Sequence, residues 1–291
     1  MVREVYVKSV LNKHRRRDEW FLDEYSINPY IGCSFNCTYC YVYGGRYGYW
    51  RKQGFSVKVN APRILSKELS RIARKGGYGF IAIGSATEPW MPIEERYMVT
   101  RRCLEVVLHY RFPIHCLTKS TLILRDIDLL REISEKAVLP LDLRDKLEHG
   151  VLVTVSLSTI DKDVARLFEP GAPDPFKRLE VLSELREHGL CAGLAFIPLL
   201  PFISDTLESI EDMVKAARDY NASYVFFGCL TLDGGARERY YSVLRREYPE
   251  LIPRYERLYS GKWYPLRSYQ DRVMKVASSL CKKYGLRMGI I

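Results

Sequence analysis

The chain has 291 residues, of which 47% are hydrophobic and 27% are charged. These fractions are typical of a folded globular protein and exclude collagen, coiled coils and intrinsically disordered chains. The most apolar stretch, from Leu190 to Ile203, is interrupted by Pro198 and Pro201, so we expect no membrane-spanning helix. The N-terminus has no apolar segment before a small-residue cleavage site, and we therefore expect a cytoplasmic protein.

The net charge of +10 is concentrated at the two ends of the chain. Residues 1–20 contain six Lys and Arg against three Asp and Glu, and residues 236–291 contain 13 against five. Basic ends suit a polyanionic partner such as a nucleic acid. The solvated surface of a thermophilic protein has a similar pattern, so the charge alone does not decide between them.

Six apolar runs rich in β-forming residues alternate with segments of helical period. The runs are 25–31, 79–84, 113–118, 150–157, 191–199 and 223–230. Most are almost continuously apolar, which is typical of parallel strands buried on both faces. The clearest helical segment is 206–220, and the spacing from Asp205 to Glu208 predicts a capping box at its start. Six strands with helical crossovers indicate a β/α barrel or a doubly wound sheet, and six units are too few for a complete eight-unit barrel.

Three of the eight cysteines form a C-x3-C-x2-C loop directly after the first predicted strand, namely Cys33, Cys37 and Cys40. Structural zinc takes four ligands, and no second cysteine pair or Cys-His pair follows. An iron–sulfur cluster normally takes four cysteines, so three can hold three irons of a [4Fe–4S] cube and leave the fourth open. The other five cysteines lie in apolar segments, where buried structural thiols are expected. They are Cys103, Cys116, Cys191, Cys229 and Cys281.

The cysteine loop, its aromatic neighbours Tyr39 and Tyr41, and the six-unit β/α pattern resemble the radical S-adenosylmethionine superfamily. The resemblance implies an α/β fold, a partial (β/α)6 TIM-like barrel over residues 25–230, between a basic N-terminal arm (1–24) and a basic helical C-terminal extension (231–291). It also implies a lyase- or oxidoreductase-type enzyme with a [4Fe–4S] cluster and S-adenosylmethionine. In this superfamily a 5′-deoxyadenosyl radical abstracts hydrogen from a substrate, and a reducing partner such as ferredoxin or flavodoxin supplies the electron.

Four further blocks resemble the spore photoproduct lyase branch of that superfamily. They are 28–33, 86–94, 117–120 and 168–173. By this resemblance, the residues expected to contact S-adenosylmethionine are Tyr39, Tyr41, Thr87, Glu88, Lys119, Ser156 and Ser158. The cation of Lys119 can neutralise a carboxylate of the cofactor, although a solvated lysine at a strand end is the simpler alternative. Glu169 and Arg178 are expected to form a structural ion pair outside the site.

One position departs from the pattern of these lyases, which carry a hydrogen-donating cysteine just after the second strand. Ser85 stands there in this chain. Because a hydroxyl O–H bond is much stronger than a thiol S–H bond, Ser85 cannot take over that hydrogen transfer, and DNA repair of the thymine-dimer type is in doubt. Cys229, at the end of the sixth predicted strand, is a candidate donor in its place, with a buried core thiol as the alternative.

The C-terminal extension combines its cations with eight tyrosines and Trp263. Cations and exposed aromatic rings together can bind single-stranded nucleic acid. At helical spacing, however, Tyr255 and Tyr259 are equally suited to the inner face of helices that close the barrel. Three functions therefore stay open: a radical enzyme acting on nucleic acid or a modified base, one acting on a peptide or small metabolite, and a non-catalytic cluster-binding protein.

Overall fold

The computed structural model describes residues 2–44 and 55–291. Its strands are β1 (Arg3–Val5), β2 (Leu11–Lys13), β3 (Asp23–Ile27), β4 (Tyr30–Ile31), β5 (Ser56–Lys58), β6 (Phe80–Ile83), β7 (Ile114–Thr118), β8 (Val151–Leu157), β9 (Cys191–Leu199) and β10 (Val225–Cys229). Its helices are α1 (Ala61–Ala73), α2 (Glu94–Tyr97), α3 (Val99–Tyr110), α4 (Ile127–Lys136), α5 (Lys162–Phe168), α6 (Pro175–Glu187), α7 (Leu207–Asp219), α8 (Gly234–Glu247), α9 (Ile252–Tyr259) and α10 (Arg267–Tyr284). Residues 45–54, inside the predicted core, lie outside the described residues.

The main sheet has the strand order β10-β9-β8-β7-β6-β3-β2. The six strands from β3 to β10 in this order are parallel to their neighbours and follow one another along the chain, as in a barrel that is not closed. The six apolar runs are thus confirmed as strands of a partial (β/α)6 barrel. Their residues are buried on both faces; all four residues of β6, for example, are at most 1% exposed.

The N-terminal arm pairs with two sheets. Strand β2 adds an antiparallel edge to β3 in the main sheet. Strand β1 pairs with β5, which pairs with β4 in a second, three-stranded sheet. The first apolar run is divided between the two sheets because Pro29, which has no backbone N–H, separates β3 from β4.

Helix α7 matches the predicted segment, but its N-cap differs. The cap is Thr206, whose hydroxyl accepts a hydrogen bond from the Ser209 amide at 3.1 Å. The prediction that Asp205 caps this helix is wrong. Its carboxylate instead accepts hydrogen bonds from the Phe202 amide at 2.5 Å and the Tyr269 hydroxyl at 2.6 Å.

The C-terminal extension consists of helices α8, α9 and α10, and α10 packs against α7 and β10. Tyr240, Tyr255 and Tyr259 are fully buried, so most of the aromatic rings close the barrel rather than face solvent. Trp263 and Tyr264 are the exceptions, with 55% and 40% exposure. Among the described residues, no helix is long and apolar enough to cross a bilayer.

A polar layer crosses the barrel interior at His115 of β7. Its Nε2 lies 2.6 Å from the Thr154 hydroxyl and its Nδ1 lies 2.9 Å from the carbonyl oxygen of Phe21. A carbonyl only accepts, so Nδ1 carries the proton and Nε2 accepts from Thr154. Burial lowers the pKa of His115 to about 4, even though the Phe21 carbonyl opposes that shift. The imidazole is therefore neutral in the folded protein at pH 7.

We expect the His115 imidazole to make folding stability depend on pH. In the unfolded chain its pKa is about 6.5, so below that pH the unfolded state binds a proton that the folded state does not. The contribution of His115 to the unfolding free energy is thus fully present above pH 6.5. It is lost as the pH falls toward 4, by about 3 kcal/mol. Urea unfolding of wild type and His115→Gln at pH 7 and pH 4 measures this. An equal loss of unfolding free energy in both proteins would contradict the assignment.

Candidate functional site

A cavity of about 480 Å³ opens at the carboxyl end of the parallel strands. Its walls come from the loop after β4, the loops after β6 and β7, and the ends of β8 and β10. All but one of the residues predicted for the site line it: Cys33, Cys37, Tyr39, Cys40, Tyr41, Thr87, Glu88, Lys119, Ser156 and Cys229. The exception is Ser158, which is fully buried and is not among the lining residues. One edge of the barrel thus brings together chemistry that is spread over almost 200 residues of sequence.

The three cysteines lie on a tight loop that reverses direction at Asn36. Asn36 adopts a left-handed backbone conformation with φ of 56°, which asparagine tolerates better than most residues. Cys37 is buried, and Cys33 and Cys40 are half-buried beside it. The Cys40 amide donates to the Cys37 carbonyl at 3.3 Å, and this hydrogen bond within the loop stabilises the turn.

The segment 168–173 packs directly on the cysteine loop. The Thr38 amide donates to the Phe168 carbonyl at 2.8 Å, and the Gly171 amide donates to the Phe35 carbonyl at 2.9 Å. A Cβ on Gly171 would lie 2.6 Å from the carbonyl oxygen of Ser34, which leaves no room for any side chain. The contact therefore requires glycine, and it fixes the position of the thiols relative to the barrel.

A buried ion pair between Arg178 and Glu169 stabilises the contact between segment 168–173 and the cysteine loop. Arg178 donates to the Glu169 carboxylate and also to the carbonyls of Pro173 at 2.7 Å and Ser156 at 2.9 Å. The Tyr39 hydroxyl donates to the same carboxylate. Burial alone would raise the pKa of Glu169, but Arg178, Lys119 and the Tyr39 hydroxyl together outweigh it and hold that pKa below its usual value. The pair expected from the sequence is therefore formed and ionised.

Glu88, in the loop after β6, connects that loop to the end of β7. Its carboxylate accepts from the Thr118 hydroxyl at 2.6 Å, the Lys119 amide at 2.8 Å and the Trp90 amide at 3.1 Å. Burial raises the pKa of Glu88, and these hydrogen bonds oppose the shift. With this many protein partners, Glu88 positions the loop that carries Lys119.

Asn28, directly after β3, connects that strand to the loop after β6. Its side-chain oxygen accepts from the Ala86 amide at 2.9 Å and from the Thr87 hydroxyl at 3.3 Å, while its amide nitrogen donates to the Ser85 hydroxyl at 3.2 Å. The Tyr41 hydroxyl donates to the carbonyl of Ser85. Ser85 and Thr87 are thus oriented by neighbours on the cavity wall.

Lys119 places a cation on the cavity wall. Its Nζ donates to the Ser156 hydroxyl at 2.7 Å, across the ends of β7 and β8. Its charge is close enough to Cys37 and Cys40 to oppose the rise in their pKa values. The cation therefore faces the part of the cavity that holds the thiols.

The three thiols are chemically suited to a metal cluster. Burial raises the pKa of Cys33 to about 11 and raises the pKa values of Cys37 and Cys40 as well. Protonated thiols are poor nucleophiles, and they become thiolates when a metal binds them. Within residues 2–44 and 55–291, no three Cys, His, Asp or Glu side chains are placed to hold a single metal ion.

The inner end of the cavity is formed by residues that the sequence did not indicate. They are His14, Asp18, Phe21 and Asp23. His14 Nδ1 lies 3.0 Å from the Asp23 carboxylate, and burial raises the pKa of Asp23 to about 6 although His14 opposes that shift. These residues belong to the N-terminal arm and to the start of β3, where no motif marks them.

Comparisons with known proteins identify the family of the chain and proteins with a similar fold. The family model of the Radical SAM superfamily matches residues 27–217. An uncharacterised protein of Mycobacterium tuberculosis is 29% identical over 289 residues, which cover 97% of this chain and 81% of the relative. A radical SAM Nalpha-GlyT isomerase of Pseudomonas phage M6 is 30% identical over 177 residues, 60% of this chain and 33% of that protein. Spore photoproduct lyase complexed with dinucleoside spore photoproduct has the same fold, with a TM-score of 0.69 at 14% identity over 97% of this chain and 79% of the lyase.

Proposed function

The chain belongs to the radical SAM superfamily, and on that premise we propose that it is an enzyme that abstracts hydrogen from a nucleic acid or a modified base. When bound, a [4Fe–4S] cluster and S-adenosylmethionine supply a 5′-deoxyadenosyl radical for that abstraction. Cys33, Cys37 and Cys40 hold the cluster through their thiolates. The observation that carries the proposal is that these three thiols share one cavity with the Lys119 cation.

The remaining residues of the cavity position and shield. Lys119 binds the carboxylate of S-adenosylmethionine through its ammonium group, and the Ser156 hydroxyl orients that ammonium. Thr87, Tyr39 and Tyr41 line the cofactor end of the cavity. The barrel walls exclude water from the reacting groups, which protects a radical from side reactions.

A nucleic-acid substrate is favoured by the basic ends of the chain and by the comparison with spore photoproduct lyase, whose structure contains a dinucleoside spore photoproduct. The phage relative is named a radical SAM Nalpha-GlyT isomerase. A second candidate is a peptide or small metabolite. It is favoured by Ser85, which stands where these lyases carry the hydrogen-donating thiol.

A deuterium-transfer screen tests the proposal. The reconstituted protein is reduced anaerobically with ferredoxin or flavodoxin as electron donor and S-adenosylmethionine, in the presence of deuterated oligonucleotides, modified nucleosides or peptides. Deuterium in 5′-deoxyadenosine from an oligonucleotide or nucleoside supports the first candidate, and transfer from peptides only supports the second. No 5′-deoxyadenosine under any condition would leave the third, non-catalytic function.

We expect Lys119→Met to weaken S-adenosylmethionine binding about tenfold to hundredfold, because a charge-assisted hydrogen bond contributes roughly 1.5–3 kcal/mol. Equilibrium dialysis of reconstituted protein measures the dissociation constant, and iron content should stay unchanged. Lys67→Met, on the exposed face of α1, is the matched control. An unchanged dissociation constant in Lys119→Met would show that Lys119 does not bind the cofactor.

We expect Cys229→Ala to form 5′-deoxyadenosine normally while blocking or diverting the substrate-derived product. Cys229 is half-buried on the cavity wall, and burial raises its pKa to about 11, so it retains the S–H bond that a hydrogen donor needs. The ratio of product to 5′-deoxyadenosine measures the effect, with Cys191→Ala as control because Cys191 is buried and does not line the cavity. A product yield equal to wild type would remove Cys229 as donor.

A further inference from the structure

A second concavity lies on the C-terminal extension and shares no lining residue with the cysteine cavity. We call it the arginine groove; it has a volume of about 480 Å³ and is lined by Arg254, Arg257 and Arg272, with Phe202, Ser268 and Tyr269. Its floor comes from the loop after β9 and from α9 and α10. All three arginines are exposed.

The three arginines are not neutralised by direct salt bridges in the described part of the chain, although Arg272 is close enough to Asp205 to oppose the rise in the pKa of that carboxyl group. Among the residues that the structure describes, none of them forms an ion pair, whereas neighbouring Arg267 pairs with Asp271 at 2.9 Å. Two are held by aromatic rings: Arg254 lies 3.8 Å from the ring centre of Phe202, and Arg272 lies 5.4 Å from that of Tyr269. A guanidinium stacked on a ring is oriented while its N–H edge stays available for an anion. Three arginine cations in one concavity, two of them oriented by aromatic rings, favour a ligand with several negative charges.

The segment that leads into the groove adds exposed aromatic rings. Trp263 and Tyr264 are in edge contact with each other at 5.1 Å and stay half-exposed, unlike the buried tyrosines of α8 and α9. The segment is also attached to the cysteine cavity: the Leu232 amide donates to the Trp263 carbonyl at 2.7 Å, and the preceding residue, Thr231, lines that cavity. An extended ligand in the groove therefore lies beside the mouth of the proposed active site.

We propose that the arginine groove binds the phosphodiester backbone of a single-stranded nucleic acid, with unpaired bases stacking on Trp263 and Tyr264. Phosphates need cations, and unpaired bases stack on exposed aromatic rings without regard to sequence. A duplex keeps its bases stacked internally and cannot use the rings. The inference rests on the proposed function for its substrate class, and it assigns the strand a surface outside the cavity where the chemistry takes place.

The test is fluorescence anisotropy of a labelled single-stranded oligonucleotide with the full chain, cluster reconstituted, in a salt titration. The groove variant is Arg254→Gln/Arg257→Gln/Arg272→Gln. The matched control is Arg63→Gln/Lys67→Gln/Arg71→Gln on α1. This helix precedes β6, which β7, β8 and β9 separate from β10 in the main sheet. Both variants lose three positive charges. The groove variant should bind roughly tenfold or more weakly, and the slope of log K against log salt should fall by about 2, while the control matches wild type. Trp263→Ala should weaken single-strand binding by about fivefold or more and leave duplex binding unchanged.

Three results would overturn the inference. They are no binding by wild type at ~50 mM salt, equal losses in the groove and control variants, and binding of inorganic phosphate without binding of the oligonucleotide. The production of 5′-deoxyadenosine from S-adenosylmethionine is measured in parallel on the same preparations. Absent oligonucleotide binding by wild type with intact 5′-deoxyadenosine formation rejects the groove alone, whereas absent 5′-deoxyadenosine with intact binding rejects the proposed chemistry.

Discussion

Replacement of Cys33, Cys37 and Cys40 by alanine should abolish iron binding and 5′-deoxyadenosine formation together. Wild type, reconstituted anaerobically, should carry about four irons per chain, because a [4Fe–4S] cluster is the form that three thiolates hold with one iron open. Its charge-transfer absorption should change when S-adenosylmethionine is added. Iron analysis and absorption spectra before and after addition measure both effects.

The control removes three thiols that lie elsewhere in the fold. Cys103, Cys191 and Cys281 are buried and do not line the cavity, so their triple replacement by alanine should leave the iron content unchanged. Circular dichroism verifies that both variants fold. Full iron content in the first variant would reject the cluster assignment, whatever family the chain belongs to.

Arg178→Met should destabilise the protein by about 3–5 kcal/mol, because it leaves the Glu169 carboxylate buried without its cation. Arg178 and Glu169 are 1% and 2% exposed, so water cannot replace the lost partner. A cost of this size is a large part of the total stability of an ordinary domain. Urea unfolding at pH 7 measures it. Because Glu169 contacts Tyr39, the variant should also bind less iron.

A second variant separates the buried charge from lost packing. Glu169→Gln/Arg178→Met removes both charges, and the glutamine side-chain oxygen can still accept the hydrogen bond from the Tyr39 hydroxyl. The double variant should therefore recover at least half of the lost stability. The single variant should also gain stability relative to wild type as the pH falls, since protonation of Glu169 removes the unpaired charge. Equal destabilisation of the single and double variants would show that Arg178 acts by filling space.

The parallel core of the fold was predictable because its strands are buried on both faces. A run such as 80–83 is apolar without interruption, and such a run is typical of a strand that is covered on both sides. Strands β1 and β2 have three residues each, and both are mostly exposed. They contain no apolar period, so the sequence predicts only a basic arm there. Their strand form comes from pairing with β5 and β3, which no local pattern indicates.

The site was predictable where a motif ends a strand, and unpredictable where a side chain reaches the cavity from elsewhere. Lys119 and Cys229 follow or end strands whose carboxyl edges must meet, so their convergence could be anticipated. His14 comes from the arm, and Asp23 is an acid at the start of a strand, which the sequence alone does not distinguish from a surface residue. Ser158 lies only two residues from Ser156, yet it does not reach the cavity wall.

The contact between the cysteine loop and segment 168–173 sets an order of events in the maturation of this protein. The loop rests on residues that follow it by about 130 positions, through the Thr38–Phe168 and Tyr39–Glu169 hydrogen bonds. These partners arrive when α5 and α6 have docked on the sheet. We therefore expect the three thiols to acquire their spacing only in the finished barrel, so that a cluster would be inserted into a chain that has already folded. In this it differs from a zinc finger, whose metal drives the folding of the peptide around it.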